Sequence, residues 1–234
     1  MLDRIRTALS WNTAAYDTIK RSLCPGMTEA SLFRRIQETW RKAAGASPPF
    51  AYDLLSGERC GEIGGEAGER VIRPGDCVIA DLLVACGGGW CDTTRTFFVG
   101  EPSAQLREAY AALQAALRAG EARLGLGVRA GEIYDTVSSV LISSGFGELA
   151  HHAGHAVGQS QLDPPDFVRG CKEKLREGMV VTLEPGIYFP GRSGMRIENN
   201  YLITSGGCEN LFGYPEEMEF FIIRDFEEER NDIE

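Results

Sequence analysis

A strand signal that occurs twice, each time ending on an acid, constrains this chain more than any other feature. IRPGDCVIAD at residues 72–81 resembles LREGMVVTLE at residues 175–184: the glycine and the acid stand six residues apart in each, and Glu184 follows Asp81 by 103 positions. The helix entries PGMTEASL and LGVRAGEI repeat at a similar offset, with Gly127 following Gly26 by 101 positions. Self-similarity at a fixed spacing is the mark of a duplicated supersecondary unit.

Periodicity fills in the unit. Leu2, Ile5, Leu9, Tyr16, Ile19 and Leu23 share one face of a 3.6-residue period that Pro25-Gly26 stops, and a second helix runs from Thr28 to Gly45 with Leu32, Ile36 and Trp40 inward. VIRPGDCVIADLLVA, a GGG turn and WCDTTRTFFV then read as a hairpin. Two further helices carry Leu106, Tyr110, Leu113, Leu117 and then Ile133, Val137, Leu141, before MVVTLEPGIYF and MRIENNYLIT form a second hairpin around PGRSG. The expected fold is α+β: a pseudo-twofold helix-helix-hairpin repeat around one curved antiparallel sheet. A turn near Cys86-Gly87 sets Asp81 opposite Asp92, and a turn centred on Gly191 sets Glu184 opposite Glu198.

Composition bounds the partners. With 234 residues and 43% hydrophobic content, a single domain over residues 1–234 is expected, its acidic tail from about residue 225 solvated. A net charge of -10 gives phosphate backbones no basic footprint, so nucleic acid is excluded as a partner. The opening MLDRIRTALSWNTAAYD mixes charges into its first turns, so neither a signal peptide nor a membrane span is expected. Cys24, Cys60, Cys77, Cys86, Cys91, Cys171 and Cys208 are odd in number and never spaced CxxC, which reads as reduced thiols in the cytoplasm.

Asp81 and Asp92 sit in strand interiors, where a short charged group suits neither the pleat nor burial. Four carboxylates meeting on one face repel one another unless cations lie between them. Two divalent ions about 3.5 to 4 Å apart, the spacing of two-metal hydrolytic sites, supply the balancing charge. HHAGHAVG, residues 151–158, holds every histidine of the chain, and His155 can add the one nitrogen ligand. Oxygen-rich coordination with one imidazole leans to manganese, iron or cobalt over thiolate-type zinc. Singly, Asp92 could cap a turn, Glu198 could pair with Arg196 and His155 could be a satisfied polar residue; jointly they point to a metal. His151 and His155 have the spacing of an HExxH zinc helix, but His152 stands where its glutamate belongs, and Gly154 and Gly158 disfavour a helix.

Asp81, then Asp92 in CDTTRTF, HHAGHAVG, TLEPGIY and GMRIEN resemble, in order and spacing, the pita-bread metallopeptidase family of methionine aminopeptidase, aminopeptidase P and prolidase. The similarity is greatest to the last two and runs from about residue 3 to residue 224. It implies the pita-bread (creatinase/aminopeptidase) fold as a catalytic domain. It also implies two divalent ions, manganese first with cobalt, iron or zinc as alternatives, bound by Asp81, Asp92, His155, Glu184 and Glu198 with a bridging water or hydroxide as nucleophile. By the same resemblance Glu184 is also general base, His151 a substrate contact, and Arg196 the group orienting Glu198 or a substrate carboxylate, while His152 is a bystander. The implied partner is a small peptide or amide substrate, and a homodimer is left open.

The chain departs from the family at Gly64 and Leu162, where Xaa-Pro peptidases carry histidines, and in smaller ways at Leu83 and Ala156. The N-terminal domain that many aminopeptidases P and prolidases carry is expected to be missing. The expected function is a two-metal hydrolase of the Xaa-Pro aminopeptidase/prolidase type. The alternative is a pita-bread protein without peptidase activity, performing other chemistry or serving as a binding module.

Overall fold

The computed structural model describes residues 1–224, so the expected acidic tail lies outside the described residues. The first unit comprises α1 (Leu2–Ser22), α2 (Glu29–Ala44), β1 (Phe50–Ser56), a short 3-10 turn (Gly57–Glu62), β2 (Cys77–Cys86) and β3 (Gly89–Val99). The second comprises α3 (Ala104–Arg123), α4 (Ala130–Ser143), β4 (His155–Ala156), β5 (Asp163–Asp166), β6 (Val180–Leu183), β7 (Gly186–Phe189), β8 (Ser193–Arg196) and β9 (Asn199–Thr204). β10 (Gly207–Asn210), a 3-10 turn (Met218–Phe221) and β11 (Ile222–Ile223) follow.

The helices form where the apolar period predicts them. Thr28 caps α2 by accepting from the Ser31 amide at 3.1 Å, and Gly45 closes the helix in the left-handed region at φ +74°. α1 packs on β2 and β3, and α3 on β6 and β7. Fully buried Asn12 ties the first layer together: its amide donates to Leu82 O and Thr93 Oγ1, and it accepts from Trp40 Nε1.

The repeat extends to the backbone. Gly26 N donates to Ile72 O and Gly127 N to Leu175 O, both at 2.9 Å. Isolated bridges join Thr28 to Val71 and Arg129 to Lys174 at the matching offset. Gly75 and Gly178 both have positive φ, +90° and +83°, where each loop turns into its central strand.

Hydrogen bonding divides the expected sheet into ladders. β1-β2-β3-β11 forms one, β10-β9-β6-β4-β5 a second, and β7-β8 a third. The two halves meet at a bridge between Thr94 and Glu198, where Glu198 N donates to Thr94 O at 3.0 Å.

Register places the acids, with one correction. Asp81 pairs with Thr94 and Asp92 with Leu83, so the two aspartates are diagonal rather than directly opposite. The cause is the turn: Gly87 and Gly88, at φ +54° and +84°, are its two central residues and shift its centre past Cys86-Gly87. A two-residue shift keeps parity, so both side chains stay on one face. In the second unit Leu183 pairs with Asn199 and Gly186 with Arg196, so the expected register carries across an interruption that contains Glu184 and Glu198. There Glu184 N turns to Ala153 O and Glu198 N to Thr94 O, which aims the acids away from their own hairpin.

Candidate metal centre

Where the two halves meet, a cavity of about 220 Å³ is lined by Asp81, Asp92, His151, His152, His155, Glu184 and Arg196, with Asp53, Ile63, Leu83, Gln161 and Leu162 around them. Glu198 is buried beside it. Ligand-type atoms of Asp92, His155 and Glu198 lie within 4.8 Å of one another, and those of His151, His152 and Glu184 form a second such group. The two groups are joined by His155 Nε2, 3.3 Å from Asp92 Oδ2 and 3.6 Å from Glu184 Oε1. Asp81, Asp92, His155, Glu184 and Glu198, the five residues expected to bind metal, are thus all buried around one space.

Asp81 Oδ1, Asp92 Oδ1 and Glu198 Oε1 are buried and have no hydrogen-bond partner. Leaving a buried carboxylate oxygen unsatisfied costs several kcal/mol, of order ~1–3 or more for a charged group, so three together require compensation. A divalent cation offers it, and the donor set fits one: hard oxygens with one imidazole. The His155 ring is oriented for this role, since Nδ1 lies 2.8 Å from Ala156 O and the tautomer donating there leaves the Nε2 lone pair facing the acids.

Proton affinities report the same crowding. Burial, then repulsion from neighbouring acids, pushes Asp92 and Glu198 well above the usual carboxylate range. Burial raises Asp81 to about 6, against the pull of Arg196. Glu184 goes the other way: burial acts to raise it, but contact with the imidazoles, His152 first, brings it down to about 2. His152 carries this effect, because burial pushes His151 down to about 4 and lowers His155 as well, whereas Glu184 raises His152 against burial.

Three of these residues make contacts that the sequence did not specify. Arg196 does not bond Glu198; it bonds Asp81 Oδ2 at 2.5 Å and reaches Glu198 only through Thr94, whose Oγ1 accepts from Arg196 Nε and donates to Glu198 Oε2 at 2.8 Å. The guanidinium is drawn to Asp81 because both lie on the cavity side of the sheet. His152, expected to be a bystander, has Nδ1 3.2 Å from Glu184 Oε1, an ion-pair contact without hydrogen-bond alignment. His151 has both ring nitrogens engaged, Nδ1 with His152 O at 2.7 Å and Nε2 with Tyr188 OH at 2.8 Å. Tyr188 in turn accepts from Arg196 Nη1 at 2.9 Å. Asp53, Thr94 and Tyr188 escaped the sequence reading; Asp53 carries the same signal as Asp81, an acid inside an apolar strand run, FAYDLLS. Of the substituted family positions, Leu162 lines the cavity mouth and Gly64 adjoins Asp53.

Comparison with known proteins identifies the family. Residues 3–205 match metallopeptidase family M24. The chain is 32% identical over 219 residues to a probable dipeptidase, PepE, of Mycobacterium tuberculosis, covering 93% of this chain and 58% of that protein. It is 32% identical over 187 residues to a Xaa-Pro dipeptidase of Pyrococcus horikoshii, covering 80% and 53%. The crystal structure of dipeptidase PepE from Mycobacterium ulcerans superposes with a TM-score of 0.90 at 30% identity, over 95% of this chain and 60% of that one. The chain therefore spans somewhat more than half the length of these relatives. It belongs to metallopeptidase family M24.

Proposed function

We propose that the chain is a metal-dependent peptidase of the Xaa-Pro dipeptidase/prolidase type, acting on a small peptide or amide through two divalent ions, manganese foremost. The observation that carries this reading is the cluster of ligand atoms from Asp92, His155 and Glu198 in a site where Asp81, Asp92 and Glu198 each keep a buried carboxylate oxygen without a partner. Family membership and the names of the relatives support it. So does the complete set of five donors, which a scaffold without metal has no reason to keep in repulsive contact.

Bound divalent ions supply Lewis acidity to a carbonyl oxygen and lower the pKa of water from 15.7 towards about 7. The chain's own residues do the rest. Glu184, ionised beside His152, is placed to accept a proton at Oε1 or Oε2 and return it to a leaving amine. Arg196 fixes Asp81 and, through Thr94, Glu198, so one guanidinium orients carboxylates from both halves. His151 is reserved for the substrate and engages it by exchanging its bond to Tyr188. The seven free thiols fit a reducing compartment, which supports the cytoplasm as location.

The test is turnover of Xaa-Pro dipeptides and tripeptides by manganese-loaded protein. Cleavage well above a Glu184→Ala control supports the reading; rates equal to that control overturn it.

A further inference from the structure

The cavity holds one acid more than the five donors. Asp53 on β1 stands directly opposite Asp81 on β2, so both side chains rise from the same face. Its Oδ1 accepts from Gly65 N at 2.8 Å. Its Oδ2 has only a 3.5 Å contact with Arg196 Nη2, whose short bond goes to Asp81. A third of the side chain is open, at 33%, and it forms part of the cavity wall.

Gly64 makes this position available. A Cβ at residue 64 would lie 2.9 Å from Asp53 Oδ2 and 3.3 Å from its Cγ, so the carboxylate fills the volume that a side chain at 64 would need. The neighbouring residues hold it there: Ile63, at φ +73°, turns its carbonyl to Arg196 Nη1 at 3.0 Å, and Gly65 supplies the amide.

Charge then decides what this wall accepts. Asp53, Asp81, Asp92, Glu184 and Glu198 face Arg196, and His152 as the partner of Glu184, in and beside the cavity. Arg196 gives its short bond to Asp81 and the dications would be held by the five donors, so Asp53 is the acid that remains to face a side chain on the β1 wall. The unpartnered oxygens of Asp81 and Asp92 belong to the cation cluster, whereas Asp53 Oδ2, a third open at the cavity wall, is held only by the long 3.5 Å contact with Arg196 Nη2.

We propose that Asp53 is the specificity-determining residue of this pocket, selecting short peptides that present a lysine or arginine side chain to the β1 wall. The proposal deepens the peptidase reading and rests on it. If Asp53 served only to brace Arg196, its loss would weaken all ligands alike.

The experiment is calorimetric binding of amino acids that cannot be hydrolysed: lysine against norleucine, and arginine against citrulline, on manganese-loaded protein. The wild type is expected to favour the charged member of each pair by about tenfold, the scale of a half-buried charge-assisted contact. Asp53→Asn, which keeps size and the Gly65 bond, abolishes that ratio while leaving norleucine affinity unchanged. Gly64→Ala, which displaces the carboxylate without touching a donor residue, reduces it. Equal affinity for both members in the wild type, or a preference that survives Asp53→Asn, overturns the proposal. Peptide cleavage without a charge preference sinks this inference and leaves the peptidase reading standing; a preference lost in Asp53→Asn without any cleavage does the reverse.

Discussion

Asn200 and Asp92 clasp one another across the seam between the two halves: Asn200 Nδ2 donates to Asp92 O at 2.5 Å, and Asp92 N donates to Asn200 Oδ1 at 3.2 Å. The side-chain amide thus does for β3 what a neighbouring strand would do. Both backbone groups are buried, and the carboxylate they carry points at His155.

Asn200→Ala leaves that buried amide and carbonyl unpaired, at about 1–3 kcal/mol each. The expected result in urea denaturation is a loss of about 2–4 kcal/mol in the metal-free protein. Manganese affinity should fall by about 10- to 100-fold as well, since Asp92 loses its fixed orientation. Unchanged affinity in a folded variant would show that Asp92 is held by other contacts.

In the metal-free protein, Glu198 is a liability. It is buried among Asp92, Asp81 and Glu184, with Oε2 held by Thr94 and Oε1 bonded to nothing. Glu198→Gln removes a charge from this cluster and keeps a carbonyl oxygen for Thr94. Thermal melts in chelator should show the variant more stable than wild type, by about 1–3 kcal/mol, because functional acids are commonly held at a cost to stability. Adding manganese should reverse the order, with the wild type gaining most. A lower melting point for Glu198→Gln in chelator would contradict the repulsion.

Much of this was legible in the letters. Glycine-rich turns, apolar periods and the doubled Gly-to-acid spacing gave the repeat and both hairpins because each is a local rule. What escaped was set by contacts distant in sequence. The first hairpin slipped by two residues because three consecutive glycines admit more than one turn centre, though parity kept Asp81 and Asp92 on one face. Arg196 could be placed near the acids but not assigned to Asp81, because Thr94 and Asp81 reach it from the other half of the chain. His152 looked redundant in HHAGHAVG until Glu184, 32 positions on, proved to be its neighbour.

Acidification should weaken metal binding over a defined range. Asp81 is raised to about 6 by burial, and a cation binds its deprotonated form. A carboxyl whose folded pKa exceeds its unfolded value favours folding only while protonated. Its contribution is full below about pH 4 and lost as the pH rises through about 6. Metal affinity therefore follows the opposite course: the Asp81 proton alone lowers it by up to about tenfold per unit below about pH 6, and the raised Asp92 and Glu198 carboxyls add to the fall. Calorimetric titration with manganese from pH 7.5 down reads the curve. An affinity that rises on acidification would exclude Asp81 as a donor.

Tyr188 separates metal binding from substrate handling. Its hydroxyl accepts from Arg196 Nη1 at 2.9 Å and donates to His151 Nε2 at 2.8 Å, which leaves Nδ1–H to donate to His152 O. One proton on each ring satisfies the whole chain, so the tautomer of His151 is set by a tyrosine that contacts no expected metal donor directly. Tyr188→Phe removes the hydroxyl with little change in shape. Bound manganese should stay the same, while kcat on a cleaved peptide falls by about 100-fold, the lower end of the range for a misplaced acid-base group. His151→Ala should give a loss of the same size, and the double variant little more, because both changes interrupt one chain. Additive losses would mean that His151 and Tyr188 act on the substrate independently.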